Sequence, residues 1–448
     1  IATGRYTWVS GDVFPQTLQA PNLTLKGANP ATTFVDPATS NRAFFASGRG
    51  NVWIEGLTVT NGRAAWGAGL YLPGCRATVT NCVFIRNLCN SGVSLSGTTY
   101  SKGGGIYAKA GTLTVLDTRF QGNGFTGIEA TEYGGAICAE NGVVVTLNRV
   151  TVANSVQQDN NFLYGAGVYL SGGSAWIADC WFHTNAPASG RTMAGGGLYA
   201  TGVSPLTLTN CAFRGNAMAN RLGGGYGGAL YITGTGTSSI LGCLFERNYL
   251  SYVAANVLEG GTMWLDGSGL IADCAIDGGV LGAAPETVFV NNGAMDSWTI
   301  RNTTFTSGMG MGIRKRGAGA LTLNNCLIKA CQNYGVLAET GSVLVANSTL
   351  ANNSGWGLVN SNAAATVVNS IAWGNSLGGF TNCSLTYTCS QEAQAGEGNT
   401  NANPYFVFGY YLSVSGLPGQ SVDSPCVNAG SMTAAAAALS SEMQVGIR

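Results

Sequence analysis

The stretch Val79-Thr80-Asn81-Cys82-Val83-Phe84-Ile85-Arg86-Asn87 decides the fold, because its outline returns along most of the chain. Phe-x-x-Asn recurs as Phe84 with Asn87, Phe120 with Asn123, Phe182 with Asn185, Phe213 with Asn216 and Phe245 with Asn248. Between the copies runs a second motif, Gly-(Gly/Ala)-(Gly/Ala)-(Leu/Ile/Val)-Tyr. Two signatures recurring together about every thirty residues mark a stacked repeat architecture. Anchored on Asn81, equivalent positions fall at Gly27, Gly56, Asp117, Arg149, Asp179, Asn210, Gly242, Asp273, Asn302, Asn325, Asn347 and Asn369, which defines thirteen coils.

The slot after the anchor is small or apolar and holds Cys82, Cys180, Cys211, Cys243, Cys274 and Cys326. Two residues further on stand Phe84, Phe120, Val152, Phe182, Phe213, Phe245, Ile276 and Phe305, an alternation with strand period. Six residues past the anchor comes Asn at 87, 123, 185, 216, 248, 353 and 375. Asn tolerates left-handed backbone, so this column predicts a corner in each coil, with amides bonded from coil to coil. Coils of 22 to 36 residues with short strands and glycine-rich corners predict an all-β chain folded as a parallel β-helix. The 67 glycines leave little room for helix, and only 434–439 reads as helical.

Gly134-Gly135-Ala136-Ile137 and Gly227-Gly228-Ala229-Leu230, set beside the Phe-x-x-Asn segments, resemble the repeats of the chlamydial polymorphic outer-membrane adhesins. More widely the chain is similar to secreted bacterial right-handed parallel β-helix repeat proteins, also in its closing Ser424-Pro425-Cys426-Val427-Asn428-Ala429-Gly430. The resemblance implies a right-handed solenoid of about 13 coils, an extracellular or cell-surface setting, and roles ranging from adhesin to polysaccharide lyase or hydrolase. The chain departs from the adhesins in carrying no C-terminal series of membrane-spanning amphipathic strands, and no apolar run suits a transmembrane helix. Without a signal-peptide pattern at Ile1 to Gly11, it reads as a mature or trimmed segment whose export signal lies upstream. The expected layout is a β-helix over 1–375, a C-terminal closure over 376–430, and an Ala-rich tail over 431–448 that caps the helix or docks elsewhere.

Twenty-one basic and 21 acidic residues, 9% of the chain, offer no field suited to nucleic acid. Weak colloidal repulsion favours a chain that is assembled, anchored or glycosylated, with sequons at Asn22, Asn302, Asn347, Asn352 and Asn382. The six cysteines of the inward column are expected as free core thiols, because parallel neighbours point side by side. No Cys-x-x-Cys or His cluster points to a metal, and no cofactor is expected. Off the column, Cys389 with Cys426 is the preferred disulfide and Cys75 with Cys89 the second, either of which fits an extracellular chain.

Strand alternation turns Leu70 and Leu72 inward and Tyr71 outward, and the same reading exposes Tyr107, Tyr169, Tyr199, Tyr231 and Trp264. The result is an external aromatic stripe, either a binding surface for a carbohydrate or protein ligand or a ladder that stabilises the sheet. Beside it, segments of variable length, among them 88–102, 124–133 and 156–164, leave one corner and form a loop face. Glu129, Glu132, Asp159, Arg191, Arg221 and Glu259 lie on that face, but their spacing does not mark a paired-carboxylate site, and the only histidine, His183, falls at a corner. The expectation is a non-catalytic adhesin or structural, self-assembling surface element. The rival is a polysaccharide-binding or polysaccharide-cleaving enzyme.

Overall fold

Each coil contributes three short strands, and stacking the coils turns them into three parallel sheets. The computed structural model describes residues 1–431 apart from 19–20, 49, 91–92, 96–97, 127–130, 156–161, 187–192, 221–222, 235, 253–256, 279–285 and 307–309. The chain divides into two compact units. One comprises Ile1–Ser238 with Arg247–Met263, the other Ser239–Glu246 with Trp264–Arg448.

In the first unit the Phe-x-x-Asn segments form one sheet, with Val83–Ile85, Arg119–Gln121, Thr151–Ala153, Trp181–His183 and Ala212–Arg214 paired in register. The glycine-rich motif leads into a second sheet, which includes Leu70–Pro73, Ile106–Lys109, Ile137–Glu140, Val168–Ser171, Leu198–Thr201 and Leu230–Thr233. A third is built from Asn22–Lys26, Asn51–Glu55, Arg76–Thr80, Thr112–Leu116, Val144–Asn148, Ser174–Ala178 and Leu206–Thr209. The second unit repeats the plan with shorter coils. There Ser297–Arg301, Ala320–Asn324, Ser342–Ala346 and Ala364–Val368 pair in one sheet.

The core is the set of inward columns. Phe84, Phe120, Phe182 and Phe213 have no exposed surface, and their rings stack at 5.0 Å (Phe84 on Phe120) and 4.5 Å (Phe182 on Phe213). Each such ring contributes about 1.5–3 kcal/mol by leaving water. Cys82, Cys180, Cys211, Cys243, Cys274 and Cys326 are buried free thiols, as the register requires. Several donate to a carbonyl two residues back, such as Cys180 Sγ to Ala178 at 3.1 Å and Cys274 Sγ to Ala272 at 3.2 Å.

The asparagine column behaves in part as expected. Asn185 Nδ2 donates to Asn216 Oδ1 at 2.9 Å and Asn216 Nδ2 to Asn248 Oδ1 at 3.0 Å, while Asn353 Nδ2 donates to Asn375 Oδ1 at 2.8 Å. The same amides reach backbone carbonyls of the neighbouring coil, as Asn216 Nδ2 does at Phe182. The left-handed residues, however, are not these. They are the anchors themselves, with φ of 48° at Asn81, 47° at Asp117, 53° at Asp179 and 49° at Asn302, and the residue just before the ladder, such as Arg86 at 53° and Asn352 at 53°. The tight bends flank the buried asparagine so that its amide points inward, where it must satisfy carbonyls that water cannot reach.

Glycine serves close approach as well as bending. A Cβ on Gly105 would stand 2.5 Å from the Ala136 carbonyl oxygen and 2.9 Å from the Phe120 ring, so no side chain fits between these coils. One sequon is consumed by the same packing, since Asn347 is buried and donates to Asn324 Oδ1 at 2.9 Å, whereas the half-buried Asn302 donates to Asp273 Oδ1 at 3.0 Å on the outside. The last parallel strand is Cys389–Ser390, after which the chain becomes irregular apart from the small antiparallel pair Phe406–Val407 and Tyr411–Leu412. The Ala-rich tail beyond 431, with its expected helix, lies outside the described residues.

Candidate functional site

The variable segments of the first unit are not bare loops. Thr98–Lys102, Thr131–Tyr133, Phe162–Tyr164, Met193–Ala194, Gly225–Tyr226 and Leu258–Glu259 pair in parallel, and Val93–Leu95 adds an antiparallel strand at one end. Stacked coils bring equivalent segments within one strand spacing, about 4.8 Å, and pairing satisfies backbone groups that would otherwise need water. Ser101, Glu132, Leu163 and Met193 are buried on one face of this additional sheet. The opposite face carries a register-aligned row, Trp66, Lys102, Tyr133, Tyr164, Ala194, Tyr226 and Glu259.

That row meets the tyrosine stripe of the second sheet, itself aligned as Phe45, Tyr71, Tyr107, Cys138, Tyr169, Tyr199 and Tyr231. Rings contact along each row, with Tyr71 and Tyr107 at 5.0 Å and Tyr199 and Tyr231 at 4.7 Å. They also contact across it, edge to face: Tyr133 and Tyr169 at 4.7 Å, Tyr164 and Tyr199 at 5.3 Å, Trp66 and Tyr107 at 6.0 Å. The stripe is therefore not the exposed surface that alternation implied. Tyr107 (1% exposed) and Tyr169 (9%) are buried around Cys138, while Tyr71, Tyr199 and Tyr231 are half-buried, because the loop sheet covers a face that a bare solenoid would leave to solvent. What remains open is a corner lined by ring edges from two sheets.

Polar groups punctuate this corner. Lys102 Nζ lies 5.5–5.7 Å from the ring centroids of Tyr100, Tyr107 and Tyr133 and pairs with Glu140 Oε2 at 2.6 Å. The Tyr107 hydroxyl donates to the other oxygen of Glu140. Burial, then that carboxylate, push the Tyr107 phenol up, and burial pushes Tyr199 up to about 12. The phenols are thus held protonated, as donors rather than bases. Two coils nearer the N-terminus than Lys102, the Arg42 guanidinium stacks 5.0 Å from the Tyr71 centroid and 5.9 Å from that of Phe45, and it has no acceptor among the described residues.

A family model described as "Right handed beta helix region" matches residues 134–277 and 253–391, together more than half of the chain. The chain belongs to that family. No curated protein and no solved structure matches it.

In this β-helix the other anticipated site residues fall apart. Of the loop-face charges, Glu129, Asp159, Arg191 and Arg221 lie outside the described residues. Glu132 is buried on the face of the loop sheet opposite to Tyr133, whereas Glu259 stands in the Tyr133 row, so these two carboxylates do not converge. Trp264, 8% exposed, belongs to the second unit, where it packs 6.2 Å from Phe289. His183 is half-buried against Trp181 at 4.6 Å, and desolvation followed by Arg119 lowers its pKa.

Of the two expected cysteine pairs, the structure brings one together and separates the other. All thirteen cysteines are thiols. Cys75 and Cys89 sit at different corners, Cys75 donating to Ala46 O at 3.1 Å and Cys89 to Lys102 O at 3.6 Å, so neither faces the other. Cys389 and Cys426, by contrast, are brought together in one buried cluster with Ile371 and Leu412. Sequence reasoning overlooked the second aromatic row, although it carried a signal: an aromatic residue directly before the corner glycine, in Trp66-Gly67, Tyr133-Gly134, Tyr164-Gly165 and Tyr226-Gly227.

Proposed function

We propose that this β-helix is a non-catalytic surface adhesin whose aromatic corner binds an extended carbohydrate. The observation that carries the reading is the pair of aligned ring rows, from Trp66 to Tyr226 and from Tyr71 to Tyr231, repeating at the strand spacing along a corner with a half-buried Arg42 at one end. Aromatic rings take the apolar faces of sugars, and rings fixed by their neighbours lose little entropy on binding. Arg42 supplies donors that no group among the described residues accepts. The nearest candidates for acid and base are already engaged, since Glu140 holds both Lys102 and the Tyr107 hydroxyl.

The rival reading, cleavage, has its best residues in the second unit. There Arg314 lies 2.9 Å from Glu339 and 3.6 Å from Glu286, but the Glu286 side chain has no exposed surface, and a general acid must reach its substrate. A screen of neutral and acidic polysaccharides tests the proposal. Retention of a polysaccharide, weakened by Tyr199→Ala and by Arg42→Ala and without new reducing ends or unsaturated products, is the expected result. Turnover by the wild type would replace the adhesin with an enzyme.

A further inference from the structure

Cys389 and Cys426 meet where the irregular closing segment settles on the last strands of the second unit. Cys389 belongs to the strand Cys389–Ser390, paired with Ile371–Trp373, and Cys426 lies in a turn of the segment that follows Tyr411–Leu412. Both are buried, at 3% and 6%, in one cluster with Ile371 and Leu412, which Trp373 and Phe406 flank. Residues 391–403 are bonded to the last coil, as Gln394 Nε2 is to the Phe380 carbonyl at 3.3 Å and the Thr388 amide is to Asn399 Oδ1 at 2.9 Å, whereas beyond Tyr405 the ties to the coils are Asn352 Nδ2 donating to the Tyr410 hydroxyl at 2.8 Å and Ser431 donating to Asn369 Oδ1 at 2.9 Å.

We propose that Cys389 and Cys426 are a cross-linking site, joined as a disulfide that locks the closing segment onto the coil. The two thiols come from segments that pack against each other, so the bond needs no change of fold. The column thiols differ. Cys180 and Cys211 also touch, but they directly precede the register-paired Trp181 and Ala212 and so stand side by side at about the 4.8 Å strand spacing, outside the usual Cβ separation of about 3.5–4.5 Å for a disulfide.

The oxidant is a small disulfide such as oxidised glutathione. One cysteine attacks as the thiolate and displaces one glutathione thiol, and the second cysteine then attacks the mixed disulfide and displaces the other. In sum, two protein thiols and one oxidised glutathione give one protein disulfide and two reduced glutathiones. Cys389 Sγ donates to the Ala402 carbonyl at 3.3 Å, and either cysteine, once deprotonated, can make the first attack. Because both sulfurs are buried, the exchange runs while the segment is lifted from the coil or before it docks.

The test refolds the full chain with oxidised glutathione or with reductant, blocks the remaining thiols by alkylation after unfolding, and maps the peptides by mass. The expected result is that oxidation removes two of the thirteen alkylatable thiols and yields one linked peptide containing Cys389 and Cys426, with the column cysteines unlinked. Limited proteolysis after Tyr405 should then be slower in the oxidised chain than in the reduced one. Alkylation of both Cys389 and Cys426 after oxidation, or a link between other cysteines, overturns the proposal. Cys426→Ser should abolish the linked peptide, and should that variant fail to fold, the wild-type map decides alone.

Discussion

The outer face of the second sheet differs between the two units. In the first it carries Tyr71, Tyr107, Tyr169, Tyr199 and Tyr231 beneath a sheet made from the intervening segments. In the second, the aligned positions Phe289, Arg314, Leu337 and Val359 combine an aromatic ring with a cation and aliphatic side chains. The difference follows coil length. Equivalent ladder residues stand 36 apart from Asn87 to Asn123, 31 from Asn185 to Asn216 and 32 from Asn216 to Asn248, but 22 from Asn353 to Asn375. About ten further residues per coil suffice for one extra strand, so lengthening the repeat adds a second layer and leaves the inner columns untouched.

If the inner columns are the shared element, damage to them should outweigh any change on the outer faces. Phe213→Ala removes a ring stacked on Phe182 and should cost about 3–5 kcal/mol in chemical denaturation. An effect under 1 kcal/mol would remove the inward column from the shared framework. Asn216→Leu should follow at about 3 kcal/mol, because it orphans Phe182 O and the Asn185 amide while losing the bond to Asn248. The corresponding Asn353→Leu should be comparable in the second unit, and a much smaller loss there would show that the ladders are not equivalent.

The outer faces should separate the units. Tyr133→Ala, on the loop sheet, takes one ring from contacts with Tyr164 and Tyr169 and is expected to destabilise the first unit by about 1 kcal/mol. It should also weaken carbohydrate retention, a readout that Leu337→Ala in the second unit should leave unchanged. Equal loss of retention by both variants would detach binding from the two-row corner.

A pH dependence should also mark the second unit. Lys315 is buried with its ammonium donating to the carbonyls of Arg316 and Gly317 at 2.8 Å each, and desolvation lowers its pKa to about 8. The unfolded chain, with the ordinary lysine value near 10.5, then holds more protons than the folded chain between pH 8 and about 10.5. Stability should therefore rise with pH across that window, and the cost of charging Lys315 is fully present below it. Denaturation curves of wild type and Lys315→Met at pH 7.5 and 9.5 check the sign: the wild type should gain on Lys315→Met at the higher pH, and a loss would refute the assignment.

Part of the site was legible in the residues, and the boundary has a physical cause. Tyr71, Tyr199 and Tyr231 were readable as outward positions because alternation along a strand is a local property. Their cover was not, since the pairing of segments such as Thr131–Tyr133 and Phe162–Tyr164 depends on stacking between coils, and no periodic pattern announces strands this short. The aromatic residues before the corner glycines were a usable sign, but only once it is known that those positions face the stripe. The left-handed bends were assigned to the wrong asparagines for a similar reason. Asn favours both the bend and the buried ladder, and composition cannot separate a backbone role at Asn81 from a side-chain role at Asn87.

The sequence by itself determined the coil, its register and the identity of the inward columns, because in a stacked repeat each residue meets its own equivalent in the next coil. Phe on Phe, Asn on Asn and buried thiols follow from that identity alone. Tertiary structure decided what lies outside the repeat: the loop sheet over Tyr107 and Tyr169, the separation of Cys75 from Cys89, and the meeting of Cys389 with Cys426. These contacts join segments that are not equivalent, so no period relates them. They are fixed by how irregular chain packs against a framework already formed.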